Sequence, residues 1–89
     1  MPINKLTKVD RGVNMPPFLL NSGNIYYGEW KKGLRHGKGV EHNIDGTFFE
    51  GIWIDDVPIG YGRHVFVDNS YLEGKFENNL CNINYLNYP

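Results

Sequence analysis

The stretch Tyr26-Tyr27-Gly28-Glu29-Trp30-Lys31-Lys32-Gly33-Leu34-Arg35-His36-Gly37-Lys38-Gly39 sets four glycines among aromatic and basic residues. Glycine weakens the interior of a strand or helix, so glycines placed this regularly need a positional reason. Sliding the sequence along itself by 23 residues supplies one. That shift aligns Gly28 with Gly51 and Gly74, Trp30 with Trp53 and Phe76, and Tyr26 with Phe49 and Leu72. The same register aligns Gly37 with Gly60, Gly39 with Gly62, and Leu34 with Val57 and Leu80. Self-similarity at a fixed period of this size marks a repeat array, in which each unit is one supersecondary element stacked on its neighbours.

Within a unit the pattern is that of a β-hairpin. Over Ile25–Lys31, Tyr26, Gly28 and Trp30 fall on one side and Tyr27, Glu29 and Lys31 on the other. A period of two built from strong β-formers predicts a strand. The second copy places Phe49, Gly51 and Trp53 against Phe48, Glu50, Ile52 and Ile54. The third places Leu72, Gly74 and Phe76 against Tyr71, Glu73, Lys75 and Glu77. Each first strand runs into Lys32-Gly33, Asp55-Asp56 or Asn78-Asn79, residues that tolerate positive φ. Second strands are expected over about 38–44 and 61–67, ending in Asp45-Gly46 and Asp68-Asn69, read as two-residue connections. The expected fold is all-β: an elongated, twisted, single-layer antiparallel meander with Trp30, Trp53 and Phe76 in one ladder. The alternation of large and absent side chains in Tyr26-Gly28-Trp30 lets rings lie over empty glycine positions, while Gly37-Gly39 and Gly60-Gly62 permit twist or bulging.

The pattern Y-x-G-x-W-x-x-G-x-x-x-G-x-G resembles the MORN repeat (membrane occupation and recognition nexus). Residues 23–44 carry Tyr26, Gly28, Trp30, Gly33, His36-Gly37 and Gly39 where that family has them. Residues 46–67 keep Phe49, Gly51, Trp53, Gly60 and Gly62 but have Asp56 for the turn glycine and Ile59 for the histidine. A third copy from Asn69 keeps Leu72, Gly74 and Phe76 and loses both late glycines to Ile83 and Tyr85. Residues 17–23 correspond to the last strand and turn of a preceding unit. The resemblance implies a non-catalytic module that holds partners or dimerises. Phospholipid association, and cytoskeletal, ciliary or membrane-associated settings, are further properties met in that family.

Composition narrows the function classes. A chain of 89 residues buries only about 60% of its unfolded surface, so repetition, a partner or self-association must help. The single cysteine, Cys81, allows no internal disulfide, and no apolar run approaches membrane-spanning length; a reducing, intracellular and cytoplasmic setting is expected. Residues 1–40 carry seven basic and two acidic residues, a surplus of +5, whereas residues 41–89 carry two basic and eight acidic, a surplus of −6. Such a dipole fits neither a uniformly basic nucleic-acid groove nor a uniformly basic membrane face. No nucleic acid, small-molecule substrate, cofactor or metal is therefore expected. His36, His42, His64 and Cys81 lack the spacing of a dedicated metal site. Gly33-x-x-x-Gly37-Lys38-Gly39 is one residue short of a phosphate-binding loop and lacks its Ser or Thr.

Two surfaces remain as candidates. Tyr27, Phe48, Ile52, Ile54 and Tyr71 share one parity and form a candidate face for another protein or a second copy of the chain. Lys31, Lys32, Arg35 and Lys38 cluster at the first hairpin tip and could give weak contact with anionic lipid headgroups. Residues 1–16, rich in proline and without periodicity, are expected as an extended arm, 17–81 as the repeat sheet, and 82–89 as a cap or docking tail.

Overall fold

The computed structural model describes residues 11–77 and the backbone of residues 80–87. Seven strands follow in chain order: β1 (Val13–Leu19), β2 (Ile25–Lys31), β3 (Leu34–His42), β4 (Phe48–Ile54), β5 (Val57–Val65), β6 (Tyr71–Glu77) and β7 (Leu80–Asn87). They form one antiparallel sheet in the order β1-β2-β3-β4-β5-β6-β7, the expected meander. Among the described residues there is no helix. The expected first ten residues of the arm and the turn Asn78-Asn79 lie outside the described residues.

Two turn types alternate. At Lys32-Gly33 (φ 52° and 78°) and Asp55-Asp56 (φ 48° and 71°) both central residues have positive φ, which gives two-residue hairpins whose twist matches that of the strands. With Lys31 opposite Leu34 and Ile54 opposite Val57, the second strands begin directly after these turns, several residues earlier than the pattern suggested. The connections at Asp45-Gly46 and Asp68-Asn69 are larger than expected. Asn43 N–H donates to Thr47 C=O and Phe66 N–H to Ser70 C=O, so each bond encloses three residues. Inside the loops the Asp45 carboxylate accepts from the Thr47 N–H and hydroxyl, and Asp68 accepts likewise from Ser70. The aspartate that signalled a tight turn instead ties down a longer loop.

In the first two repeats the second strand carries two residues more than the first across a register shift, while the first strand keeps its alternation. Register shifts fall between Gly28 and Trp30 against β3, and between Gly51 and Trp53 against β5. Gly37 and Gly60, with φ of 85° and 79°, carry the compensating bulges. The residues opposite the bulges are buried: Glu29 is 5% exposed and Ile52 is 3% exposed. Ile52, expected on the partner face, is thus buried there.

The core is one chain of rings on the inner face. Phe18 meets Trp30, Trp30 meets Tyr26, Tyr26 meets Trp53, Trp53 meets Phe49, and Phe49 meets Phe76, each edge-to-face at 4.8–5.5 Å. Such pairs contribute about 0.5–1.5 kcal/mol each beyond their buried area. The glycines receive them. A Cβ at Gly51 or Gly62 would stand 2.7 Å from the tip of the Phe49 ring, and one at Gly39 would overlap the Tyr26 ring. Tyr26 donates its hydroxyl to the Glu29 C=O at 2.8 Å, and the Trp53 indole donates to the Gly39 C=O at 3.2 Å.

At the ends of the sheet, β1 takes in residues 13–16 of the expected arm and β7 takes in most of the expected tail. β1 is shifted in register between Met15 and Phe18, where Pro16-Pro17 supply no donors to the ladder.

Candidate partner-binding faces

On the inner face, past the ring chain, Arg35 is the hub. Its guanidinium lies 4.6 Å from the Trp53 ring centre and 5.9 Å from that of Tyr26. Its Nε donates to Asp56 Oδ1 at 3.0 Å, its Nη2 to the Asp56 C=O at 3.1 Å, and its Nη1 to Glu41. Asp56 Oδ1 also accepts the Arg35 backbone N–H at 2.8 Å, and Asp56 N–H donates to the Arg35 C=O at 3.0 Å. Glu41 accepts from the Asn24 amide at 2.7 Å. This network floors an open hollow of about 470 Å³ bounded by Leu20, Asn24, Pro58 and Trp53. All of its charged groups are already paired, which gives the hollow no spare donor for an anion.

The N-terminal edge is clamped by Glu29. Its carboxylate accepts from Arg11 Nε at 2.8 Å, from Gly12 N–H at 2.9 Å and from Lys38 N–H at 3.3 Å. Burial works to raise the Glu29 pKa, but the hydrogen bonds from Arg11, Lys38 and Gly12, with the Arg11 charge, outweigh it and hold the group below its ordinary value. Beyond the clamp, Val13, Met15, Phe18 and Trp30 line an apolar hollow of about 630 Å³ at the β1 edge.

His36 stands apart. It is 8% exposed, its Nδ1 lies 4.0 Å from Asp55 Oδ1, and among the described residues neither ring nitrogen has a hydrogen-bond partner. The equivalent position in the second repeat is Ile59, so the site accepts a wholly apolar side chain.

The outer face carries a straight cross-strand row. Leu19 pairs with Ile25, Ile25 with His42, His42 with Phe48, Phe48 with Val65, and Val65 with Tyr71. Six strands thus contribute one residue each to a band that is apolar except for His42. Leu19 is 66% exposed and Ile25 is 42% exposed; the others are half-buried. His42 stacks on Tyr27 and tilts against Phe48, with Tyr27 Oη 2.9 Å from its Nε2. A second row beside it runs Tyr27, Val40, Glu50, Arg63, Glu73. Arg63 binds Glu73 at 2.8 Å, lies 3.9 Å from Glu50, and stacks on Tyr71 at 4.4 Å.

Of the five residues expected on the partner face, Tyr27, Phe48, Ile54 and Tyr71 are partly solvent-exposed and Ile52 is buried. The basic cluster is divided. Arg35 is committed to Glu41 and Asp56, Lys32 sits in the turn, and Lys38 stands four strand positions inward, opposite Ile52. The Arg35–Asp56 and Arg11–Glu29 links escaped the sequence reading. The one signal for the first was the aspartate standing where the repeat pattern has a turn glycine.

Residues 26–48 and 49–71 each match the family model of the MORN repeat, in two abutting copies that cover just over half of the chain. The third, divergent copy expected from Asn69 begins inside the second match and has no match of its own, a difference of one unit from the count read off the columns. The repeat is of a non-enzymatic type linked in general to protein or membrane-lipid interaction. Two tandem matches, at the period that builds the ring chain and its glycine receptors, place this protein in the MORN-repeat family.

Proposed function

We propose that this chain is a non-catalytic protein-interaction module, acting as a small structural subunit of an assembly through the outer face of its sheet. The observation that carries this is the band Leu19–Ile25–His42–Phe48–Val65–Tyr71, which crosses six strands and has no second layer over it among the described residues. An apolar stripe of that length on a single-layer sheet is expected to be covered in use. The charge pattern favours protein over lipid as the cover. A headgroup-binding array would repeat its basic tip, whereas Lys31-Lys32 becomes Ile54-Asp55 and then Glu77-Asn78, and Arg35 is already paired.

Placing a photo-crosslinking amino acid at Tyr27 or at Phe48, with Gly33 as the tip control, tests the reading in cells that make the protein. Protein adducts concentrated at the first two positions, with no flotation of the purified chain on phosphatidylserine vesicles at physiological salt, are expected. Flotation that survives high salt, with no protein adduct at the outer face, overturns the reading in favour of membrane binding.

A further inference from the structure

We infer that the inner face is a groove for a linear peptide in polyproline II conformation, which sets a lysine or arginine side chain in the middle of three hollows that the described residues form. The groove lies on the face opposite the outer band and goes beyond the reading of that band.

The hollows follow the repeat. Phe18, Trp30 and Gly33 line the apolar one at the β1 edge, about 630 Å³. One period later the same columns hold Glu41, Trp53 and Asp56, which line the hollow of about 470 Å³. One period further, His64 and Phe76 line a hollow of about 260 Å³ that shares Glu41, Trp53 and Pro58 with the middle one. Equivalent places thus recur every second strand, about 9.5 Å apart at ordinary strand spacing. A polyproline II helix has three residues per turn and rises about 3.1 Å per residue, so every third side chain leaves the same side at intervals of about 9.3 Å. A peptide lying across the strands therefore matches the hollows at one turn per repeat. A β-strand turns its third residue to the opposite face and does not match.

The chemistry of the hollows fixes the order of side chains. The first, walled by Met15, Phe18 and Trp30, takes an aromatic or large aliphatic group. In the middle one, two carboxylates, Glu41 and Asp56, face the single Arg35 cation. Asp56 engages Arg35 through Oδ1, and among the described residues no hydrogen bond reaches its Oδ2. The middle hollow thus has a surplus of one negative charge and an open acceptor, beside apolar walls from Leu20 and Pro58. A lysine or arginine complements both, with its stem along the walls and its charge at Asp56. The third hollow, the smallest, takes a short aliphatic group between Phe49 and Phe76. Asp56 gives the middle hollow its selectivity, since Gly33 holds its place in the first.

The test titrates the full chain with two synthetic peptides, FPPRPPV and its reverse VPPRPPF, and follows the indole N–H resonances of Trp30 and Trp53 by NMR. At least one peptide is expected to bind in the submillimolar range and to shift both indoles. Norleucine in place of the arginine should weaken binding about tenfold, as loss of a charge-assisted hydrogen bond does. Glutamate there, or the shortened spacing of FPRPV, should abolish it. Asp56→Asn should weaken the arginine peptide several-fold and leave the norleucine peptide unchanged; if that variant does not fold, the peptide series alone decides. Neither peptide binding the folded wild type at millimolar concentration overturns the inference. So does equal binding of the arginine and norleucine peptides, or of FPRPV. If Phe48 crosslinks to a protein in cells while the peptides fail, this inference falls and the outer-face reading stands. If the peptides bind and the outer face gives no adduct, the reverse holds.

Discussion

The Tyr26 ring occupies the space in which a side chain at Gly39 would stand, on the facing strand of the same repeat. Tyr26 is fully buried between Trp30 and Trp53 and its hydroxyl is held by Glu29, so it has nowhere to go. Gly39→Ala is expected to cost about 3 kcal/mol, as overpacking against an immovable ring does. Gly33→Ala is the control: no atom lies within 4 Å of its Cβ, and the cost is that of left-handed backbone alone, about 1 kcal/mol. Urea unfolding of the two variants checks the ranking. Equal losses would mean that the ring does not depend on the glycine.

Asp56 tests whether a strained turn is retained for its side chain. At φ 71° a glycine is the easier residue, and Gly33 holds the equivalent place one repeat earlier. The Asp56 carboxylate, however, accepts both the Arg35 N–H and its guanidinium Nε, and the loss of hydrogen bonds to a charged partner costs about 1.5–3 kcal/mol. Relief of the backbone returns about 1 kcal/mol. Asp56→Gly should therefore destabilise by about 1 kcal/mol even though it restores the repeat pattern. A gain in stability would show that the Arg35 link contributes little.

The ring chain was legible because it is a property of columns: Tyr26, Trp30, Phe49, Trp53 and Phe76 recur at one period, and their parity survives into the structure. The burial of Glu29 and Ile52 was not, because it comes with the bulges on the strands opposite them, and a bulge reads in sequence only as one more glycine. β1 was hidden for a different reason. Pro16-Pro17 argue against a strand interior, yet they fall at the register shift of an edge strand, where missing donors are tolerated. The Arg35–Asp56 link joins positions 21 apart across a repeat boundary, which no local pattern encodes.

Acid should release the N-terminal clamp. The folded-state pKa of Glu29 lies below its unfolded value of about 4.3, so its contribution to stability is complete above that pH and is lost as pH falls through the folded value. Asp45 and Asp68, lowered by hydrogen bonds from Thr47 and Ser70, act with the same sign. Glu29→Gln should be less stable than the wild type at pH 7, and the gap should close as pH drops below about 4. Urea midpoints at pH 7, 5 and 3 measure it. A gap that stays constant across that range would mean that the carboxylate charge is not what holds Arg11 and Gly12.

Phe48 and Ile52 have the same parity on one strand, and the structure separates them. Ile52, 3% exposed beside the bulge, is a core residue, so Ile52→Ala should cost about 2–4 kcal/mol. Phe48 lies half-buried in the outer band against His42 and Val65, and its truncation should cost the fold about 1 kcal/mol. For a domain of this size 1 kcal/mol moves the melting temperature by about 4–8 °C, so the first variant should melt at least 10 °C lower and the second about 5 °C lower. Association should respond in the opposite order, with Phe48→Ala the more damaging at a temperature where both variants are folded. Equal melting shifts would mean that Ile52 carries no more of the fold than Phe48 does. A larger effect of Ile52→Ala on association, measured well below its melting temperature, would place the interface at the bulge instead of along the cross-strand band.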